Sequence, residues 1–166
     1  MKSYFCANPN CRLAFEMGGM KMSKEKFDLW QDHSMKYLKM APKTGHCEII
    51  ERPDGYGKRT GECGDTIELF LTMNGDRIER VAFQTDGCMN TSACANTAVR
   101  MAEGRTLDEA WEISPENIID FLETLPSHKA HCAELAVGAL YLALANVKKN
   151  KRAPLEKTLS MKRGFV

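Results

Sequence analysis

The longest uninterrupted apolar run of this chain is too short to read as a membrane span. The longest apolar run, Leu135 to Ala145, has 11 residues, where a bilayer needs about 20. No secretory h-region is expected either, because Lys2, Arg12 and Glu16 interrupt the first residues. Both absences lead to the expectation of a cytoplasmic protein with no membrane partner. Charge of one sign is also lacking. Twenty-three Lys and Arg stand against 22 Asp and Glu, so no global field steers the molecule toward nucleic acid. There is no internal repeat and no low-complexity segment. A composition of 43% hydrophobic and 27% charged residues excludes a disordered or fibrous chain, and 166 residues amount to about one domain.

Cysteine is what the chain does have. Seven thiols with no signal peptide do not make a disulfide framework, and an odd count in a reducing compartment points to metal, sulfur or redox chemistry. The charge is unevenly spread. From Lys148 to Val166 there are seven basic residues and one acid, a charge of +6 that leaves −5 for residues 1–147. This basic segment reads as a mobile tail or a contact for an acidic partner.

The periodicity predicts an α+β fold: a small antiparallel sheet packed by several helices, strands first and helices after. Phe27, Trp30 and Leu38 predict a first helix from about Lys24 to Lys39. His46–Arg52 reads as a short strand ending in a Pro53-Asp54-Gly55 turn. Ile67, Leu69, Leu71 and Met73 alternate with Glu68, Phe70 and Thr72, and Asn74-Gly75 is a two-residue hairpin signal. On the return strand, Asp76 to Thr85, Ile78 is out of phase with Val81 and Phe83, which a bulge would explain. A small-residue helix follows Gly87-Cys88 and ends near Gly104. Thr106 with Glu109 forms a capping box, Ser114-Pro115 starts another helix, and the last, apolar nearly all round, begins near Ser127.

The hairpin brings chemistry together. In an extended chain residues i and i+2 share a face, so Cys63 and Asp65 can address one site across Gly64. With Asn74-Gly75 as the turn, Asp65 lies opposite Gln84 and Cys63 opposite Asp86, and Cys88 emerges beside them. His131 and Cys132 open the last helix, where the positive end of the helix dipole would lower the Cys132 thiol. Three thiols, a carboxylate and an imidazole suit either one tetrahedral zinc or the irons of a small iron–sulfur cluster. A thiol enzyme with Cys132 as nucleophile and His131 as base fits poorly, because adjacent helical residues point about 100° apart. Cys94 and Cys47 read as packing residues. Cys6 and Cys11 read as two free thiols in a loop, or as half of a further metal site.

Gly61-Glu62-Cys63-Gly64-Asp65, Gly87-Cys88 before a small-residue helix, Gly104-Arg105-Thr106-Leu107-Asp108-Glu109-Ala110, and Leu125-Pro126 followed by Lys129 and His131-Cys132 resemble the IscU/NifU-type iron–sulfur cluster scaffold family over about residues 30–147. The resemblance implies a non-enzymatic α+β scaffold that assembles a [2Fe–2S] cluster from iron and desulfurase-derived sulfur and passes it to acceptor apoproteins. It implies Cys63, Cys88 and Cys132 as ligands, Asp65 and His131 as exchangeable or auxiliary donors, and Cys132 as a candidate persulfide acceptor. A zinc-binding module using the same residues is the alternative. The expected organisation is an N-terminal extension over 1–24, the scaffold domain over 25–147 and the basic tail over 148–166. The family's Leu-Pro-Pro-Val-Lys segment here reads Leu125-Pro126-Ser127-His128-Lys129, a departure that weakens the case for a DnaK-like chaperone as partner.

Overall fold

Ser34 sets the start of the first described helix. Its side chain accepts the Tyr37 N–H and caps α1 (Met35–Met40), while its own N–H goes to Thr124 and its hydroxyl to the Leu122 carbonyl. That tertiary anchoring holds Ser34 extended and corrects the expected helix, which does not run unbroken through to Lys39. The computed structural model describes residues 32–42 and 45–163, with side chains as far as 151. The remainder of the expected first helix, and Cys6 and Cys11, lie outside the described residues.

The sheet has three antiparallel strands in the order β1-β2-β3: β1 (Gly55–Thr60), β2 (Thr66–Asn74) and β3 (Arg77–Thr85). The expected strand at 46–52 shrinks to a single parallel bridge between Cys47 and Phe83. β1 stands instead from the end of the expected turn, starting at Gly55 and running through residues for which no strand was expected. Its glycines disguise it, and the packing explains them. A side chain at Gly57 would lie 2.2 Å from the Ala139 carbonyl oxygen, so glycine is what lets β1 approach the last helix.

The hairpin is real, but its register differs from expectation. The turn falls on Gly75-Asp76, with Gly75 at φ 66°, and Leu69 pairs with Phe83 and Ile67 with Thr85. Between the Thr72–Arg80 and Met73–Ile78 pairs, Glu79 is the extra residue. The bulge that the phase slip predicted therefore exists, and it lets Ile78, Val81 and Phe83 all be buried.

The helical signals hold closely. α2 (Met89–Ala102) starts at Cys88 and ends before Gly104, whose φ of 78° suits a C-terminal glycine. Capping boxes open α3 (Leu107–Trp111) at Thr106 and α4 (Pro115–Leu122) at Ser114. A 3-10 turn at Ser127–Lys129 leads into α5 (Ala130–Arg163), so the segment expected as a mobile tail continues this helix to Arg163. Part of Ser127–Lys151 is long and apolar enough by composition to cross a membrane, but most of it is buried within the fold. Leu135, Ala136, Ala139, Leu140, Ala143 and Leu144 on α5 join Ile67, Leu69, Leu71, Val81 and Phe83 of the sheet in one core.

Candidate functional site

One end of the sheet and the starts of two helices meet at the motif residues. The Gly61 N–H donates to the Asp65 carbonyl at 2.9 Å and the Gly64 N–H to the Gly61 carbonyl at 3.0 Å. Gly64 closes this turn with φ 86°. Cys63-Gly64-Asp65 is therefore a turn rather than extended strand, which corrects the argument that placed Cys63 and Asp65 on one face. Cys63 stands exposed on it. The expected pairings fail as well, because Glu68 faces Gln84 and the Asp86 carboxylate accepts the Thr66 N–H at 2.6 Å. Asp65 nevertheless reaches Cys88, since its Oδ2 accepts the Cys88 N–H at 3.2 Å.

Thr91, in the first turn of α2 and fully buried, is the residue that sequence reasoning missed. Its Oγ1 donates to Asp65 Oδ2 at 2.5 Å and lies 3.5 Å from both Cys88 Sγ and Cys132 Sγ. The signal was available in its spacing, because a residue three beyond a helix cap faces the cap. Gly87 keeps the centre open. A Cβ there would sit 2.7 Å from Asp65 Oδ2 and 2.8 Å from Thr91 Cβ.

Burial alone would raise the Asp65 carboxyl, but hydrogen bonds from Thr91 and Cys88 and the nearby Lys129 ammonium outweigh it and hold the group below its ordinary value. At Cys88 burial again pushes the thiol up, and hydrogen bonds from Thr91 and Asn90 bring it net below the usual thiol value. Asn90 is held in turn by the Tyr37 hydroxyl, which donates to its Oδ1 at 2.6 Å. Cys132 behaves in the opposite way. It is completely buried, and burial, reinforced by Cys88, Cys63 and Asp65, raises its thiol. The expectation that the helix dipole lowers Cys132 is thus reversed: desolvation of the charged form wins.

Asp65, Cys88 and Cys132 are therefore brought together around one hydroxyl, and Cys63 is close enough to act electrostatically on Cys132. His131 is half-buried at the start of α5. Among the described residues, no three His, Cys, Asp or Glu side chains converge closely enough to hold one ion as they stand. Cys94 is buried in the middle of α2, and burial raises its thiol strongly, in keeping with a packing role.

The NifU-like N terminal domain family matches residues 38–153. The chain is 36% identical over 118 residues to iron–sulfur cluster assembly scaffold protein IscU 1 of Archaeoglobus fulgidus, a match covering 66% of this chain and 77% of that protein. It is 30% identical over 151 residues to iron–sulfur cluster assembly protein IscU of Plasmodium falciparum, covering 87% and 88% respectively. Its fold is shared with a nitrogen-fixing NifU-like N-terminal protein from Brucella abortus, at a TM-score of 0.59 and 18% identity over 74% of this chain and 99% of that one. The match spans the whole sheet and every cysteine motif of the site, and the chain is a member of the NifU N-terminal domain family.

Proposed function

We propose that this protein is a scaffold on which a [2Fe–2S] cluster is assembled and from which it is handed to acceptor proteins. Iron and sulfide are then its cargo, with the sulfur supplied by a cysteine desulfurase. The observation that carries this reading is the convergence of Asp65, Cys88 and Cys132, from three different elements, on the Thr91 hydroxyl. With Cys63 they number four donors, which is what two irons bridged by sulfide require from a protein. His131 is an auxiliary donor in this reading, and Cys132 the candidate to receive sulfane sulfur.

The mixture of donors suits temporary binding. Three soft thiolates favour the cluster, while a carboxylate is a hard ligand that an incoming thiolate can displace. In the arrangement described here Asp65 is engaged by α2 and Cys63 stands on an exposed turn. Loading therefore exchanges hydrogen bonds for metal–ligand bonds. The same four donors also match the count of a structural zinc site, and this is the second reading.

Anaerobic reconstitution with iron and sulfide tests both. A cluster gives visible charge-transfer absorption, and zinc gives none. Single Ser replacements at Cys63, Cys88 and Cys132 should each lose most of the cluster, and Cys94→Ser should keep it. Equal cluster content in all four variants would reject the assignment, and a colourless, zinc-retaining protein would favour the zinc module.

A further inference from the structure

Thr91 touches three of the four proposed ligands, yet its hydroxyl carries only one proton and two lone pairs. The 2.5 Å separation from Asp65 Oδ2 lies in the range of a charge-assisted O–H···O⁻ bond, whereas the contacts to Cys88 and Cys132 are 3.5 Å each. The proton therefore goes to Asp65, and the two sulfurs are longer contacts that compete for the same proton. If Asp65 turns to a metal it releases that proton, and the nearest acceptors left for it are the two sulfurs, which as bound thiolates carry no proton of their own.

We propose that Thr91 is the positioning residue of the site, a hydroxyl rotor that holds the Asp65 carboxylate against α2 while the site is empty and donates to a ligand sulfur once Asp65 engages metal. This inference rests on the scaffold reading and deepens it, because it couples the exchangeable ligand to the permanent ones through a single atom. Two further features fit. Thr91 is completely buried, so water does not replace its hydroxyl. Gly87 has no side chain where a Cβ would lie 2.7 Å from both Asp65 Oδ2 and the Thr91 methyl, so the close approach of the two residues is built into the chain.

Cobalt(II) alone, added anaerobically to the metal-free full-length protein, provides the probe, since sulfur-to-cobalt charge transfer and d–d bands report ligand identity and geometry. Thr91→Val keeps the shape and removes the hydroxyl, and Thr91→Ser keeps the hydroxyl. Removing the hydroxyl takes its short bond to Asp65 from the metal-free protein and only a longer bond to sulfur from the loaded one, so the valine variant should bind cobalt roughly 3–10-fold more tightly, and its d–d bands should shift. The serine variant should restore both. In an Asp65→Ala background the short bond to the carboxylate is already gone, so the valine change should no longer tighten binding. Wild-type affinity and bands in Thr91→Val, failure of serine to rescue, or an undiminished valine effect without Asp65 would each overturn the proposal. Should the valine variant not fold, Gly87→Ala serves instead, and wild-type cobalt affinity there overturns the proposal equally. Absence of any sulfur-to-cobalt band in the wild-type protein would sink the scaffold reading itself, and this inference with it.

Discussion

Cys88 and Cys132 both stand at the start of a helix, yet their thiols are shifted in opposite directions. Cys88 is the N-cap of α2 and is exposed. Hydrogen bonds from Thr91 and Asn90 overcome its partial burial and favour the thiolate. Cys132 lies in the first turn of α5 with no exposed surface, and desolvation favours its neutral thiol. Proximity to a helix N-terminus is common to both, so the dipole does not decide the outcome. What surrounds the sulfur does: a dipole contributes about 0.3–1 kcal/mol, whereas full burial can move a titrating group by several pH units. One site thus holds a thiol that ionises more readily than usual next to one that ionises less readily. On the proposed scaffold reading, transfer of sulfur to Cys132 would require that residue to be uncovered.

The strongest way to break this contrast is to remove the cover. Leu135 lies one turn beyond Cys132 on α5, is 2% exposed, and packs over the Gly61 turn, 3.3 Å from where a Gly61 Cβ would be. Leu135→Ala should cost about 2–5 kcal/mol of stability, and by admitting water it should bring the Cys132 thiol down toward its ordinary value. Chemical denaturation measures the first effect and the pH dependence of Cys132 alkylation the second. A destabilised variant whose Cys132 still titrates as in the parent would show that Leu135 is not the residue that isolates the thiol.

A second experiment sharpens the contrast without a mutation. Iodoacetamide labelling of the metal-free protein, resolved by peptide mass, should show Cys88 reacting at lower pH than Cys132. The signs follow from the shifts. Cys88 is lowered by folding, so its contribution to stability is full above the unfolded thiol value and is lost as pH falls through the folded one. Cys132 is raised, so its contribution is full below the unfolded value and is lost as pH rises through the folded one. Coincident labelling profiles would mean that the environment does not separate the two sulfurs.

The same division between local and tertiary causes explains what could be read from the residues. Thr106 with Glu109, Ser114 with Pro115, and Gly104 each announce a helix end through neighbours three or four residues away, and all stand where their spacing placed them. The Ile78 phase slip was likewise a local mark of the bulge. β1 was illegible because Gly55 and Gly57 are required by the close approach of α5, more than 80 residues later. The hairpin register was misjudged because the turn sits one residue further on, at Gly75-Asp76, with the bulge adding one more. The motif cysteines and Asp65 were legible as a set. The reversal at Cys132 and the part played by Thr91 were not, because both arise from packing between elements distant in sequence.

Asp65 gives the smallest predicted effect on stability, and one whose sign changes between the empty and loaded protein. In the structure its carboxylate accepts the Cys88 N–H and the Thr91 hydroxyl, and so does from the turn before β2 what a capping side chain does within a helix. Asp65→Ala should therefore cost the metal-free protein about 1 kcal/mol near neutral pH. Because folding lowers the Asp65 carboxyl, this contribution is full above the unfolded carboxylate value. It fades as pH falls through the folded one, so parent and variant melts should converge in acid. On the proposed scaffold reading, the weak oxygen donor of a bound cluster would be what an acceptor's thiolate displaces, and replacing it should slow transfer and lengthen the lifetime of the loaded form, with His131 filling the vacant position. The two effects come from the same carboxylate and can be measured on one variant, by thermal melting of the empty protein and by visible absorbance of the loaded protein beside an apo-acceptor. If the variant melts lower and also loses its cluster faster, Asp65 only supports the start of α2, and the contrast between capping and ligation at this carboxylate does not hold.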